Sequence, residues 1–132
     1  MTDNDKDTAQ PSATLQLERA EDFVSFYANH GFYQPSAWDL KIIFGQVDQV
    51  DGKDIVRQNV AITIPWAQAK LSLYYLRLHV AAMEIQSGKI PIRPDLIPAE
   101  LPPLTPEQEA VPGAKELREA MKKLREEFIA NL

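Results

Sequence analysis

The stretch AITIPWAQAKLSLYYLRLHVAAMEI, residues 61–85, decides the fold class because its periodicity changes partway along. Apolar residues alternate up to Ile64, which is typical of a β-strand, and an apolar run with helical spacing follows. Pro65 or Trp66 suits the first turn of a helix, where a missing proline N–H costs nothing, and Gly88 is a C-terminal stop signal. The stretch therefore predicts a strand that leads directly into one long helix.

Strand-like composition also occurs in the segments before this junction. The four segments are TLQLE (14–18), FVSFYANHGFY (23–33), WDLKIIFGQV (38–47) and IVRQNVAITI (55–64). Asp51 and Gly52 form a strong hairpin signal between the last two, and Gly31 predicts a bend or bulge in the second. The pattern predicts an α+β fold, with an antiparallel β-meander of three to four strands packed on one long helix.

The register of the hairpin can also be predicted. A two-residue loop would pair Phe44 with Asn59 and set apolar residues against outward-facing ones, whereas a shift of one residue pairs Phe44 with Val60. We therefore expect a loop with an odd number of residues and Gly52 in a left-handed or bulge position. Alternation places Val56 and Val60 on the same face of the sheet.

The C-terminal part has a different character. Seven prolines between residues 91 and 112 predict an extended arm, interrupted by a short capped turn at Thr105 and Gln108. An amphipathic helix is expected over Ala114 to Ala130. Its apolar stripe consists of Leu117, Met121, Leu124 and Phe128.

These features divide the chain into four parts. They are a disordered tail (1–12), an α+β core domain (13–90), a Pro-rich arm (91–112) and a C-terminal helix (113–132).

The long helix has two apolar arcs when its residues advance by about 100° each. The wide arc contains Ala67, Leu71, Tyr74, Tyr75, Leu78, Ala81, Ala82 and Ile85. The second contains Ala69, Leu73, Leu76, Val80 and Met83. Two narrow polar lines separate the arcs: Lys70, Arg77 and Glu84 on one side, and Gln68, Ser72, His79 and Gln86 on the other.

A helix that lies on a single sheet needs only one apolar arc, so this helix is expected to lie between two layers. A sister subunit that covers Leu73, Leu76, Val80 and Met83 is the favoured second layer, in a homodimer as the first expectation. Coverage by the C-terminal helix is the alternative. That helix could instead contact another protein through its stripe.

Composition excludes several classes of function. The net charge of -5 and pI near 5.0 argue against nucleic-acid binding, and the absence of cysteine excludes disulfides and thiolate chemistry. No apolar run is free enough of charge to span a membrane, and the N-terminus lacks a signal peptide, so a cytoplasmic location is expected.

No residue pattern predicts a catalytic, cofactor or metal site. His30 and His79 lie in different elements, and neither has a carboxylate at ligand spacing. Asp48, Asp51 and Asp54 lack the spacing and terminal Glu of a calcium loop and indicate a solvated hairpin tip. The chain is therefore expected not to be an enzyme.

Several of these residues resemble a family of short bacterial proteins catalogued as a domain of unknown function. The similar positions are Tyr27 and Asn29, Asp39 to Gly45, Pro65, Ala67 and Lys70, and Gly88 with Ile90. The resemblance covers about residues 15–92. It implies a fold but no activity.

The chain is also similar to the export chaperone family SecB. The similarity rests on Ser25 to Ala28, on Pro65, Trp66 and Ala67 at the helix start, and on Gly88 and Pro91 at its exit. This resemblance implies an acidic oligomer that binds unfolded chains in apolar grooves, although the present chain has one strand fewer.

These observations favour a non-enzymatic, oligomeric interaction or adaptor protein. A SecB-like chaperone is the first alternative. A small-ligand binder or enzyme with a site between sheet and helix is the second.

Overall fold

A computed structural model describes residues 14–132, so the predicted tail, residues 1–12, lies outside the described part. The strands are β1 (His30–Pro35), β2 (Asp39–Val50) and β3 (Lys53–Pro65). The helices are α1 (Trp66–Ser87), α2 (Pro106–Glu109) and α3 (Ala114–Ala130), and Pro94–Leu96 forms one 3-10 turn. The predicted α+β class is confirmed, since a long helix follows an antiparallel sheet.

The sheet is a three-stranded meander in the order β1-β2-β3. Two strand predictions fail wholly or in part: residues 14–18 form no strand, and residues 23–33 join the sheet only from His30 onward. Of the bend or bulge predicted near Gly31, no bulge forms, because Gly31 pairs regularly with Phe44, but the chain does bend at Asn29 just before β1. Asn29 continues the ladder in another way, since its N–H donates to the Gly45 carbonyl at 3.0 Å. Its side-chain Oδ1 accepts from the Val47 N–H at 2.9 Å.

The predicted register of the β2–β3 hairpin is confirmed, since Phe44 pairs with Val60. The predicted loop length is wrong. Only Asp51 and Gly52 connect the strands, with φ values of 53° and 77°. Two successive positive φ angles match the twist of a tight hairpin, so the left-handed conformation predicted for Gly52 is confirmed.

The odd residue that the register requires lies inside β3 rather than in the loop. Phe44 pairs with Val60 but Gly45 pairs with Gln58, which leaves Asn59 as the extra residue of a β-bulge. Beyond the bulge the alternation of β3 is inverted. Val56 therefore pairs with Val47 and faces away from Val60, so the prediction that both valines share a face is wrong.

Gly45 allows the two strands to approach at the bulge. A Cβ atom at position 45 would lie 2.9 Å from Gln58 Cα and from the Arg57 carbonyl carbon, and closer still to the Arg57 carbonyl oxygen. Gly45 is also the one residue in the described part of the chain that is buried as a whole. The tightest backbone packing of the sheet is therefore centred on a residue without a side chain.

The chain divides into two compact units between Trp66 and Ala67. Helix α1 begins at Trp66, one of the two predicted starting residues, and ends at Ser87, with Gly88 at φ 86° and its N–H donating to the Glu84 carbonyl at 2.9 Å. The left-handed glycine ends the helix as expected.

Beyond α1 the predicted arm and C-terminal helix are present. Thr105 and Gln108 form the reciprocal hydrogen bonds of a capping box at the start of α2, at 3.0 Å and 3.2 Å. Helix α3 begins at Ala114 after the left-handed Gly113 and ends at Ala130, as predicted.

Candidate interaction surface

The second apolar arc of α1 is open to solvent in the single chain. Its four large residues, Leu73, Leu76, Val80 and Met83, expose between 47% and 63% of their surface. The wide arc is comparably open, with Tyr74 and Tyr75 both at 55%. Helix α3 therefore does not provide the second layer that was the alternative predicted from the sequence, and the arc is uncovered in the single chain.

The stripe of α3 is also exposed. Leu117, Met121, Leu124 and Phe128 expose between 39% and 65% of their surface. No apolar side chain in residues 14–132 is buried, so within this part of the chain no closed hydrophobic core covers the two helical stripes.

The Pro-rich arm runs antiparallel to α3 and forms a wall beside its stripe. Arg125 Nε donates to the Pro98 carbonyl at 2.8 Å, and Arg118 donates to the Pro102 carbonyl. Lys89 Nζ reaches the carbonyl of Asn131 at 3.0 Å. An extended proline-rich segment has no internal hydrogen bonds, so its carbonyls are free to accept from these side chains.

The arm and α3 enclose a groove of 770 Å³. Its apolar lining includes Leu101, Pro102, Pro103, Met121, Leu124 and Phe128. A smaller cavity of 250 Å³ lies between α2 and α3, where Leu117 and Val111 line it. The four stripe residues predicted as a partner face thus all line one of these two concavities.

The charges at the groove are mixed. Arg118, Lys122 and Arg125 stand against Glu100 and Glu126, and Arg125 lies 3.8 Å from the Glu100 carboxylate. Because Arg118 and Arg125 already bind arm carbonyls, their guanidinium groups hold the wall in place. The open part of the groove is therefore mainly an apolar surface with a polar rim.

The histidines do not form a site with other ionisable groups. His30 begins β1 and its Nδ1 is covered without a hydrogen-bond partner, whereas His79 lies exposed on α1. Within residues 14–132 no three His, Asp or Glu side chains are grouped closely enough to hold a metal ion.

Two acidic residues of the hairpin have structural roles. Asp48 forms an ion pair with Arg57 at 3.1 Å, and Asp51 occupies the turn itself. Asp48, Asp51 and Asp54 therefore belong to a solvent-exposed hairpin tip.

One carboxyl group has a perturbed pKa. The Arg93 guanidinium donates to Asp95 at 2.6 Å and 3.1 Å, and these hydrogen bonds hold the pKa of Asp95 below its ordinary value. The pair lies at the 3-10 turn of the arm and is exposed to solvent. It stabilises the turn locally rather than marking a reactive site.

No protein-family model, curated protein or solved structure matches the chain. The described helices are all too short or too polar to cross a membrane.

The sequence did not lead us to predict that the Pro-rich arm forms one wall of a groove on α3. The signal for it is the seven-residue spacing of Arg118 and Arg125 on one side of α3, opposite an arm whose prolines leave carbonyls unpaired.

Proposed function

We propose that this chain is a non-enzymatic interaction or adaptor protein that works as an oligomer, with the cytoplasm as its location. One observation supports this above all: no apolar side chain in residues 14–132 is buried, although two helices carry continuous apolar stripes. The resemblances to short bacterial proteins and to an oligomeric chaperone agree with this proposal.

The energetic argument rests on the second arc of α1. Leu73, Leu76, Val80 and Met83 are each about half exposed. Full burial of such a side chain stabilises by about 1.5–3 kcal/mol, so covering what is still exposed on four of them contributes about 4 kcal/mol. That is a large share of the roughly 5–15 kcal/mol by which native domains are stable. Association of two copies is the simplest source of this stabilisation.

The oligomer is tested by measuring the molar mass of the full chain with multi-angle light scattering at micromolar concentration. A mass of two or more 14.9 kDa chains is expected. A monomer over the whole concentration range would contradict the proposal.

The groove between the arm and α3 is the second contact surface, and we assign it to a protein partner that inserts apolar side chains between Leu101 and Leu124. Tagged full-length protein should retain such a partner during purification from its host. Leu124→Gln should release it, because Leu124 is 65% exposed in the open groove and its loss does not disturb a core.

The matched control is Lys123→Gln, which changes the adjacent position on α3, outside the groove lining. Equal recovery of the same partner with both variants would remove the groove from the proposal. Removal of residues 100–132 should have the same effect as Leu124→Gln.

A SecB-like holder of unfolded chains is the second candidate, and the open, apolar groove favours it. Such a protein should suppress the aggregation of a denatured test protein at near-stoichiometric ratio, and Leu124→Gln should weaken this effect. No suppression at a several-fold excess would exclude the chaperone function and leave the adaptor proposal intact.

A further inference from the structure

The second arc of α1 has the spacing of a coiled-coil seam. Its residues are separated alternately by four and three positions, and this average of 3.5 residues keeps a narrow seam facing a partner helix. The positions are Ala69, Leu73, Leu76, Val80 and Met83. Trp66 and Ser87 continue the same spacing to both ends of the 22-residue helix.

The polar residues beside the seam occupy the flanking positions of the same heptad. With Leu73 and Val80 at a and Leu76 and Met83 at d, the e positions are Lys70, Arg77 and Glu84. The g positions are Ser72, His79 and Gln86. A helix that packs only on a broad sheet face does not need this arrangement, whereas a helix pair does.

We propose that α1 pairs with α1 of a second copy as an antiparallel two-helix coiled coil in which Lys70 lies opposite Glu84 of the second copy. This inference rests on the oligomer under Proposed function and specifies its interface. In an antiparallel pair, a residues meet d residues. Leu73 then packs on Met83 of the second copy and Leu76 on Val80, around a two-fold axis that crosses the seam midway between Leu76 and Val80.

The charged residues at the e positions favour an antiparallel over a parallel arrangement of the two helices. The antiparallel pair brings e positions together, so Lys70 meets Glu84 twice, once on each side of the axis, and one Arg77 meets the other. A parallel pair brings g positions to e positions and leaves Lys70 without an acidic neighbour. Two opposite-charge contacts outweigh the single contact of like charge in the antiparallel arrangement.

The local structure leaves Lys70 open to solvent and the Glu84 side chain 25% exposed. Lys70 is exposed and has no ion pair within residues 14–132. Glu84 accepts the Ile90 N–H through Oε2 at 3.0 Å, and its Oε1 lies 4.0 Å from Lys89 Nζ. The backbone hydrogen bond orients the carboxylate, and Oε1 can accept from a second lysine.

The absence of cysteine makes a crosslinking test direct. Ser72→Cys and Gln86→Cys are introduced singly into full-length chains with different tags, co-expressed to allow mixed dimers, and treated with a short bis-maleimide. The two positions are 14 residues apart, about 21 Å along the helix. In the antiparallel pair Ser72 lies beside Gln86 of the second copy, so only the mixture should crosslink.

The outcomes separate this inference from the proposed function. Crosslinking of each variant to itself, without mixed product, would show a parallel pair and overturn the direction. A dimeric mass without either product would overturn the α1 seam but leave the oligomer in place. A monomeric mass would overturn both. Leu73→Cys is a further check, since self-crosslinking is expected there only for parallel helices.

A charge exchange gives an independent readout. Lys70→Glu should raise the dimer dissociation constant by about 3–30-fold, because it replaces two attractive contacts by two repulsive ones. Combining Lys70→Glu with Glu84→Lys should recover most of the loss. Failure of the double variant to recover, with its helix content intact by circular dichroism, would contradict the pairing of these two residues.

Discussion

Replacing Gly45 by alanine tests the tight backbone packing at the β-bulge. The added Cβ would lie 2.9 Å from Gln58 Cα, whereas ordinary van der Waals contacts begin at 3.4 Å, so the strands must separate by at least 0.5 Å. The obstacle is backbone rather than a side chain that can rotate. Forced insertion of one methyl group into such packing costs about 1–3 kcal/mol.

A loss of about 2 kcal/mol lowers the melting temperature of a small domain by about 10 °C. The assay is urea or thermal unfolding followed by circular dichroism at one fixed protein concentration, because association changes the apparent stability. Gly31→Ala in the adjacent strand is the matched control. Its Cβ would meet only side-chain atoms of Tyr33, the nearest at 3.3 Å, which can move away. Equal midpoints for the two variants would refute the close approach at Gly45.

Three further predictions concern other parts of the chain. Arg125→Ala removes the 2.8 Å hydrogen bond to the arm and should speed proteolytic cleavage within the Pro-rich segment, whereas Lys123→Ala should not. Arg93→Ala should raise the pKa of Asp95, measured by NMR titration of its side-chain carboxyl carbon, because the guanidinium is the main cause of the lowered pKa. Because the pKa of Asp95 is lowered in the folded chain, its contact with Arg93 contributes stability above the ordinary Asp pKa of 3.8, and this contribution is lost as the pH falls through the lowered pKa. Acidification should therefore remove the difference in stability between Arg93→Ala and the parent chain. Deleting Asn59 should preserve the strand pairs on both sides of the bulge, which are detectable as cross-strand nuclear Overhauser effects. The deletion should also reduce the loss of stability caused by Gly45→Ala. Loss of the strand pairs would contradict the bulge assignment.

The register and the helix bounds were predictable because they depend on local signals. The pairing of Phe44 with Val60 follows from apolar alternation, and the end of α1 follows from Gly88. The position of the extra residue did not follow, because a three-residue loop and a bulge at Asn59 give the same pairs near the helix. The glycine at position 45 was the one sequence feature that favoured the bulge.

The failure of the strand prediction for residues 14–18 has a different cause. Residues 14–18 have strand composition, but a strand forms only where a neighbour accepts its hydrogen bonds, and Leu15 and Leu17 remain 83% and 97% exposed. Composition alone does not indicate whether such a neighbour exists within one chain.

The candidate surface was predictable to a similar extent. Helical spacing was sufficient to assign Leu73 and Leu76 to one face of α1, and Leu124 and Phe128 to one face of α3. The arm as a groove wall was not predicted, because its contacts use the carbonyls of Pro98 and Pro102, and a side-chain pattern marks only the donors of these bonds, Arg118 and Arg125.

Because the arm is attached through its main-chain carbonyls, its position on α3 does not depend on the side chains that it presents to a partner. Arg118 and Arg125 bind main-chain oxygens, which every residue type possesses, so the arm would stay in place if its side chains were exchanged for others that keep an extended backbone. Leu101, at the groove, could therefore be varied without loss of the frame that presents it. Such a segment lends itself to library design, in which the arm sequence is randomised while α3 is left unchanged.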